Sequence, residues 1–469
     1  MPSNEPLIFV LFGATGDLAK RMVLPAFYEL FTRGLMPPEW HLVGNGRGDV
    51  SHEDFHAHVR KVLDEFGPEK IDEEQWAAFA DRLRFAGGGF EKSDPGSLLD
   101  VLQESHKDIG PDARYIHYLA IPPVAFGTVA EGLGEHELLD RARVVFEKPY
   151  GASLEGFHEL DRLVHSVMDE EQVYRIDHFL GKEATQNLHV LRFGNEMINR
   201  VWCRDAVAQV QIDVPETLDV ADRAAFYDAT GAFRDMIVTH LFQVAAEVAM
   251  EPPVSMAASH LQEARESVVA AFRPLQTDDV VFGQYAGYSD LPDVAEGSTT
   301  DTFAAARLWV DTDRWHGVPF ILRSGKQLGV SRQVVTLLMR PTEGPMTHAP
   351  ASANLLQLSL AGSGAIEMQL VVKEPGADLS LAVSRSALDL GAVEPGAALP
   401  PYVSLLHDVT TGDRSLFTSS AGLKAAWSTA AAVVDSTAQP IAYEPGSAGP
   451  AEATALTDGV GWLSELLPG

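Results

Sequence analysis

LIFVLF over Leu7–Phe12 runs straight into GATGDLAK over Gly13–Lys20. A short apolar run bounded by glycine reads as a buried strand, and the turn after it reads as the entry to a helix. Glycines at such a junction let the backbone approach a pyrophosphate, while the helix N-terminus offers its amides and dipole. The spacing is G-x-x-G rather than the full dinucleotide fingerprint, so an ordinary tight turn is the alternative.

The same alternation continues outward. Leu24–Phe31 has helical spacing, Trp40–Val43 is apolar and ends in Gly44-Asn45-Gly46, Tyr115–Ile121 runs into Pro122-Pro123, and Arg143–Phe146 runs into Glu147-Lys148-Pro149. Strands alternating with helices predict an α/β Rossmann arrangement, a doubly wound parallel sheet. Beyond residue 180 the pattern changes. Val207–Val214, Phe303–Val310, Val334–Met339, Leu355–Leu360 and Ala365–Val372 alternate in polarity, which predicts an α+β part with a large, mainly antiparallel sheet. Gly231–Met250 reads as one long helix beside that sheet, with Phe233, Ile237, Leu241, Val244 and Val248 as its apolar stripe. The expected domains are residues 1–176, binding a dinucleotide, and residues 177–469, binding substrate and mediating oligomerisation.

In a Rossmann half, the residue after the second strand chooses the coenzyme. An acid there binds the free ribose of NAD and an arginine accepts the 2′-phosphate of NADP. Arg47 is the first charge after Val43, which points to NADP; Asp49 follows, which leaves NAD possible. A plain surface-loop role is the alternative for Arg47.

Composition narrows the ligand classes. A chain of 469 residues has room for two or three domains, and a hydrophobic content of 46% is that of a globular protein. Lys and Arg total 35 against 66 Asp and Glu, a net charge of −31. That balance argues against nucleic acid and anionic membrane surfaces as partners, so a phosphate must be held by a local exception. Cys203 is the sole cysteine, which removes a disulfide framework or a thiolate metal site and fits a reducing cytoplasm. No basic region precedes Leu7–Phe12 and no small-residue cleavage site follows it, so it reads as a strand rather than a signal peptide. Ala425–Val434 is too short and interrupted to span a bilayer.

The densest such exception is RIDHFLGKE over Arg175–Glu183, where Asp177, His178 and Lys182 crowd one short turn and Gly181 leaves the backbone free to bend. Grouped acid, imidazole and ammonium cost desolvation and side-chain entropy unless a ligand satisfies them, and a small polyanion suits this set. A solvated turn is the bland alternative. His240 lies at the edge of the long helix's stripe, after Asp235. There it reads either as a satisfied core histidine or as a general base with a carboxylate holding its tautomer.

GATGDLAKRMVLPAFYEL, YLAIPP, EKPYG, RIDHFLGKE, NLHVLRFGNEMINRVWCRD, GAFRDMIVTHLFQVAAEVAMEPP and RWHGVPFILRSGKQL occur in this order, followed by SLLHDVTTGDRSLFTSS and YEPGSAGP. Together they resemble the glucose-6-phosphate dehydrogenase family over nearly the whole chain. The resemblance implies oxidation of the anomeric hydroxyl of glucose 6-phosphate by NADP, giving the lactone. It implies His240 as general base and Asp177 as the acid that orients it. Lys148, His178, Lys182, Glu216, Asp235 and Lys326 would bind substrate. Gly13, Ala14, Thr15, Gly16, Asp17, Leu18, Lys20, Arg47 and Lys148 would bind coenzyme, and Pro149 is a candidate cis-proline. A homodimer or homotetramer is expected by the same analogy. Three positions depart from the family pattern: Met22 stands in place of a lysine, Phe179 in place of a tyrosine, and Ser331 where a basic residue is common. Each removes an anion contact, and Met346–Pro400 matches weakly. Two rival readings are a dehydrogenase of another or unphosphorylated aldose, and a non-catalytic nucleotide-binding paralogue.

Overall fold

The structure is a computed structural model that describes residues 5–48, 50–220, 223–343, 354–362, 364–392, 398–434, 436 and 438–466. Asp49, weighed above for coenzyme choice, lies outside the described residues, as does part of Met346–Pro400. The chain divides into two compact units. The first comprises Met1–Gly181, Ala257–Gln262 and Leu399–Ser420; the second comprises Lys182–Met256, Glu263–Ala398 and Ala421–Gly469.

The first unit is built on β1 (Leu7–Phe12), β2 (Trp40–Asn45), β3 (Leu83–Ala86), β4 (Arg114–Leu119), β5 (Arg143–Phe146) and β6 (Val173–Ile176). They pair in parallel in the order β6-β5-β4-β1-β2-β3, and a short strand Phe417–Thr418 adds antiparallel to β6. This is the predicted doubly wound sheet, with its switch point between β1 and β4. Every residue of β1 is buried, as a strand covered by helices on both faces demands. On one face Phe27, Trp40, Phe55 and Phe79 form an aromatic core with Phe9 and Tyr118. Leu405 and Val409 of the late helix Pro401–Thr411 join that core, a contribution from far along the chain that local periodicity does not reveal.

The second unit carries β7 (Val207–Pro215), β8 (Val280–Tyr285), β9 (Phe303–Trp309), β10 (Pro319–Gly325), β11 (Val334–Met339), β12 (Leu355–Ser359), β13 (Ala365–Lys373) and β14 (Leu381–Asp389). Their order is β14-β13-β12-β11-β7-β10-β9-β8, closed at the β8 edge by a parallel strand Ile441–Tyr443. The sheet is antiparallel apart from that edge and the parallel pair β7 and β10. The expected strands are present. β10 is an additional strand, buried throughout, Arg323 and Ser324 included.

The expected long helix differs at its start. Gly231 has φ +74°, outside helical space, and a Cβ there would meet the Asp301 carboxylate at 2.3 Å. Asp301 then secures the new helix by accepting the Phe233 N–H at 2.6 Å on its carboxylate and the Ala232 N–H at 2.8 Å on its carbonyl. Phe233–Leu241 is wound as a π-helix and Phe242–Ala249 as an α-helix. The stripe Phe233, Ile237, Leu241, Val244 and Val248 is buried, but so are Met236, Val238 and Gln243. The helix is enclosed nearly all round rather than on one face.

Candidate active site

In the first unit the candidate residues stand at the carboxyl ends of parallel strands, the end at which doubly wound sheets bind ligands. Gly13 follows β1 with φ +75°, and a Cβ there would lie 2.4 Å from the Ala120 carbonyl oxygen, just beyond β4. The turn is tied by the Gly13 and Ala14 N–H groups donating to Asn45 O at 3.0 and 3.1 Å, and by Gly16 N–H to Gly13 O at 2.8 Å. Thr15 and Asp17 are exposed on it, and Asp17 pairs with Arg21 at 2.7 Å. Leu18 and Lys20 are half-buried where the helix begins. The cradle is one that only glycine at position 13 permits, so the chain fits a dinucleotide's pyrophosphate.

Arg47 is exposed after β2, and among the described residues its guanidinium has no hydrogen-bond or ion-pair partner. Its side chain lies alongside Gly89, held to the same loop by the Gly89 N–H to Gly46 O bond of 2.9 Å. Lys148 follows β5, and the Lys148–Pro149 peptide is cis, as expected for Pro149. Sequence reading passed over Glu147. It is buried and accepts the Tyr118 hydroxyl at 2.5 Å and the Tyr402 hydroxyl at 3.2 Å, so it anchors the strand end from which Lys148 projects. Burial pushes its carboxyl up, against the two tyrosine hydrogen bonds. Its tyrosine partners, Tyr118 and Tyr402, are remote from it in sequence.

Asp177 and His178 follow β6. Asp177 is buried, and its carboxylate accepts the Phe179 N–H at 2.9 Å, which fixes its direction locally. Gly181 corrects the expectation: its φ is not in the left-handed region. A Cβ there would press Leu405 Cγ at 2.8 Å, so glycine is needed for close packing, not for bending. Phe179 is buried, so its ring serves the core where the family pattern has a hydroxyl, whereas Met22 is exposed.

In the second unit, β7 and β10 run side by side and deliver a matched pair. Pro215 is in register with Gly325, and the next residue of each strand is Glu216 and Lys326. The Lys326 ammonium donates to Glu216 at 2.6 Å, and both side chains remain partly accessible. Deeper along the same strands Arg323 and Asp213 form a buried bidentate pair at 2.7 Å, which fixes the register. Lys326 is further placed by Tyr443, whose hydroxyl donates to its carbonyl at 2.6 Å. Asp235 lies half-buried in the first turn of the enclosed helix. His240 is fully buried, not marginal as expected, because the helix is enclosed nearly all round. The Lys182 ammonium donates to the Gln333 side-chain oxygen at 2.5 Å, a neutral partner. Ser331 is exposed beside this segment.

Among the described residues no helix is long and apolar enough to cross a membrane. Residues 10–187 match the family description "Glucose-6-phosphate dehydrogenase, NAD binding domain", and residues 189–463 match "Glucose-6-phosphate dehydrogenase, C-terminal domain". The chain is 33% identical to the cytoplasmic isoform of glucose-6-phosphate 1-dehydrogenase of Solanum tuberosum, covering 99% of this chain and 93% of that one. It is 36% identical to glucose-6-phosphate 1-dehydrogenase 2 of Mycobacterium bovis, covering 95% and 91%. Among solved structures, glucose-6-phosphate 1-dehydrogenase from Mycobacterium avium superposes with a TM-score of 0.87 at 33% identity, over 99% of this chain and 100% of that one. A glucose-6-phosphate dehydrogenase in complex with its substrate glucose-6-phosphate superposes with a TM-score of 0.91 at 28% identity, over 98% and 99%. Two family descriptions that together take in nearly all of the chain, with relatives similar over more than nine tenths of their lengths, make it a member of the glucose-6-phosphate dehydrogenase family.

Proposed function

We propose that this protein oxidises glucose 6-phosphate at its anomeric carbon to 6-phosphogluconolactone, with NADP as hydride acceptor and NAD as a possible substitute. The observation that carries this is the family likeness over both halves of the chain, including a solved relative in complex with glucose-6-phosphate. His240 is the general base that takes the proton of the anomeric hydroxyl, and Asp177 is its carboxylate partner. The electron pair left on that oxygen forms the lactone carbonyl and expels hydride from the carbon. NADP, when bound, supplies the acceptor. Gly13, Ala14, Thr15, Gly16, Asp17, Leu18 and Lys20 hold its pyrophosphate, Arg47 its 2′-phosphate, and Lys148 serves both coenzyme and sugar. His178 and Lys182 grip the substrate phosphate, while Glu216, Asp235 and Lys326 bind the sugar. Residues 1–176 act as the coenzyme part and 177–469 as the substrate and oligomerisation part of a cytoplasmic homodimer or homotetramer.

The test is nicotinamide absorbance with purified protein, glucose 6-phosphate or glucose, and NADP or NAD. Turnover of glucose 6-phosphate with NADP is expected, and His240→Asn should lower kcat by about 100-fold or more. Equal specificity constants for glucose and glucose 6-phosphate would replace this reading with an unphosphorylated aldose as substrate. No turnover with any pair would favour the non-catalytic paralogue.

A further inference from the structure

Tyr227 sits on the helix Ala224–Ala232 that precedes the helix carrying Asp235. It is 4% exposed, and its hydroxyl oxygen is buried without a hydrogen-bond partner among the described residues. An orphaned buried hydroxyl is costly and calls for an explanation, which a bound-state partner supplies. Its surroundings name that partner. The Lys326 ammonium lies 5.8 Å from the centre of the Tyr227 ring, and Lys326 is itself paired with Glu216 at 2.6 Å. The carboxyl groups that act on the phenol are Asp235 first, then Asp301, and also Glu216. Burial first, and then these carboxylates, hold the phenol far above its ordinary range, so it stays protonated and able to donate.

The pairing of Lys326 with Glu216 cannot survive intact if both turn to a sugar. An ammonium that leaves a carboxylate for a ligand strips that carboxylate of a charge-assisted hydrogen bond, and a donor nearby must replace it. We propose that Tyr227 is a positioning residue for sugar binding: its free hydroxyl is held in reserve for the Asp235 and Glu216 carboxylates once Lys326 engages the substrate. This deepens, and rests on, the assignment of glucose 6-phosphate as substrate. Tyr227 acts through those carboxylates and makes no contact with the reacting atoms.

The experiment is Tyr227→Phe in the full chain, read by steady-state kinetics and by thermal melts with and without saturating glucose 6-phosphate. Phenylalanine keeps the ring and removes only the orphaned hydroxyl. The free variant should melt at or above the temperature of the unmutated protein. Its KM for glucose 6-phosphate should rise about tenfold, the size of losing one hydrogen bond to a charged group, with a smaller change in kcat and none in the KM for NADP. The stabilisation by glucose 6-phosphate should shrink in parallel. An unchanged KM and an unchanged ligand-induced melting shift would overturn the proposal. A lower melting temperature of the free variant would also overturn it, by revealing a partner for the hydroxyl in the unliganded protein. If the unmutated protein neither oxidises nor is stabilised by glucose 6-phosphate, the substrate assignment fails instead.

Discussion

Gly13→Ala separates a geometric requirement for coenzyme binding from ordinary backbone strain. Position 13 has φ +75°, and a new Cβ would sit 2.4 Å from the Ala120 carbonyl oxygen and 3.0 Å from Ile121 Cγ2. Ordinary van der Waals contact begins at 3.4 Å, so the turn must withdraw by 3.4 − 2.4, about 1 Å. The neighbour is backbone in the loop after β4 and has little freedom to give way. Withdrawal loosens the bonds of Gly13 and Ala14 to Asn45 O and so shifts the turn proposed to hold the pyrophosphate. A displacement of that size in a positioning element costs about 100-fold in kcat/KM. A left-handed conformation costs an alanine a further 1–2 kcal/mol or so in stability. Gly34 is the control: its φ is +68°, and a Cβ there meets nothing within 4 Å. Gly34→Ala should therefore carry the strain alone, lowering stability by about 1–2 kcal/mol with the KM for NADP unchanged. Urea melts and initial rates over a range of NADP give both quantities. A Gly13→Ala enzyme whose KM for NADP stays within about twofold of the parent would refute the close-approach argument.

Arg47→Ala should raise the KM for NADP by about tenfold or more while leaving that for NAD nearly unchanged, since in its proposed role it makes a charge-assisted contact to the 2′-phosphate alone; equal losses with both coenzymes would show that Arg47 does not read that group. Lys182→Ala should erase most of the preference for glucose 6-phosphate over glucose, by about 10- to 100-fold in the ratio of kcat/KM. A retained ratio would move phosphate recognition elsewhere. Glu247→Gln tests a buried network in the second unit, where Glu247 accepts from Arg265 at 2.5 Å and from His189. Burial pushes the Glu247 carboxyl up, but Arg265 and His189 outweigh it and hold it at about 2. A folded pKa below the unfolded one stabilises above the unfolded value, near 4.5, and that stability is lost as pH falls through about 2. The substitution removes the buried carboxylate charge opposite Arg265, so it should cost roughly 3–5 kcal/mol at neutral pH, and less as the pH drops below the unfolded carboxylate range. A denaturation series at several pH values in which the loss is constant would contradict the assignment of that stability to the carboxylate.

The sequence alone determined what depends on neighbours along the chain. Glycine after an apolar run marked the β1 turn. Alternating polarity along the chain marked β7, β9 and β11 to β13. Closeness along the chain singled out Asp177, His178 and Lys182 as the proposed acid, imidazole and ammonium set. Tertiary structure decided what depends on burial and on partners distant in sequence. β10 is buried throughout, and Arg323 is accommodated in it because Asp213 lies opposite on β7, a partner 110 residues away in sequence. His240 looked marginal, since its own helix cannot say what covers its other side, yet it is fully buried. Gly181 looked like a hinge, but the close approach of Leu405 requires it. Gly231 looked like the first residue of a helix, but an Asp301 carboxylate seventy places away in sequence sets where that helix begins. Glu147 and Tyr227 carried no local signal, because what distinguishes each is its hydrogen-bond inventory, which exists only once the chain has folded.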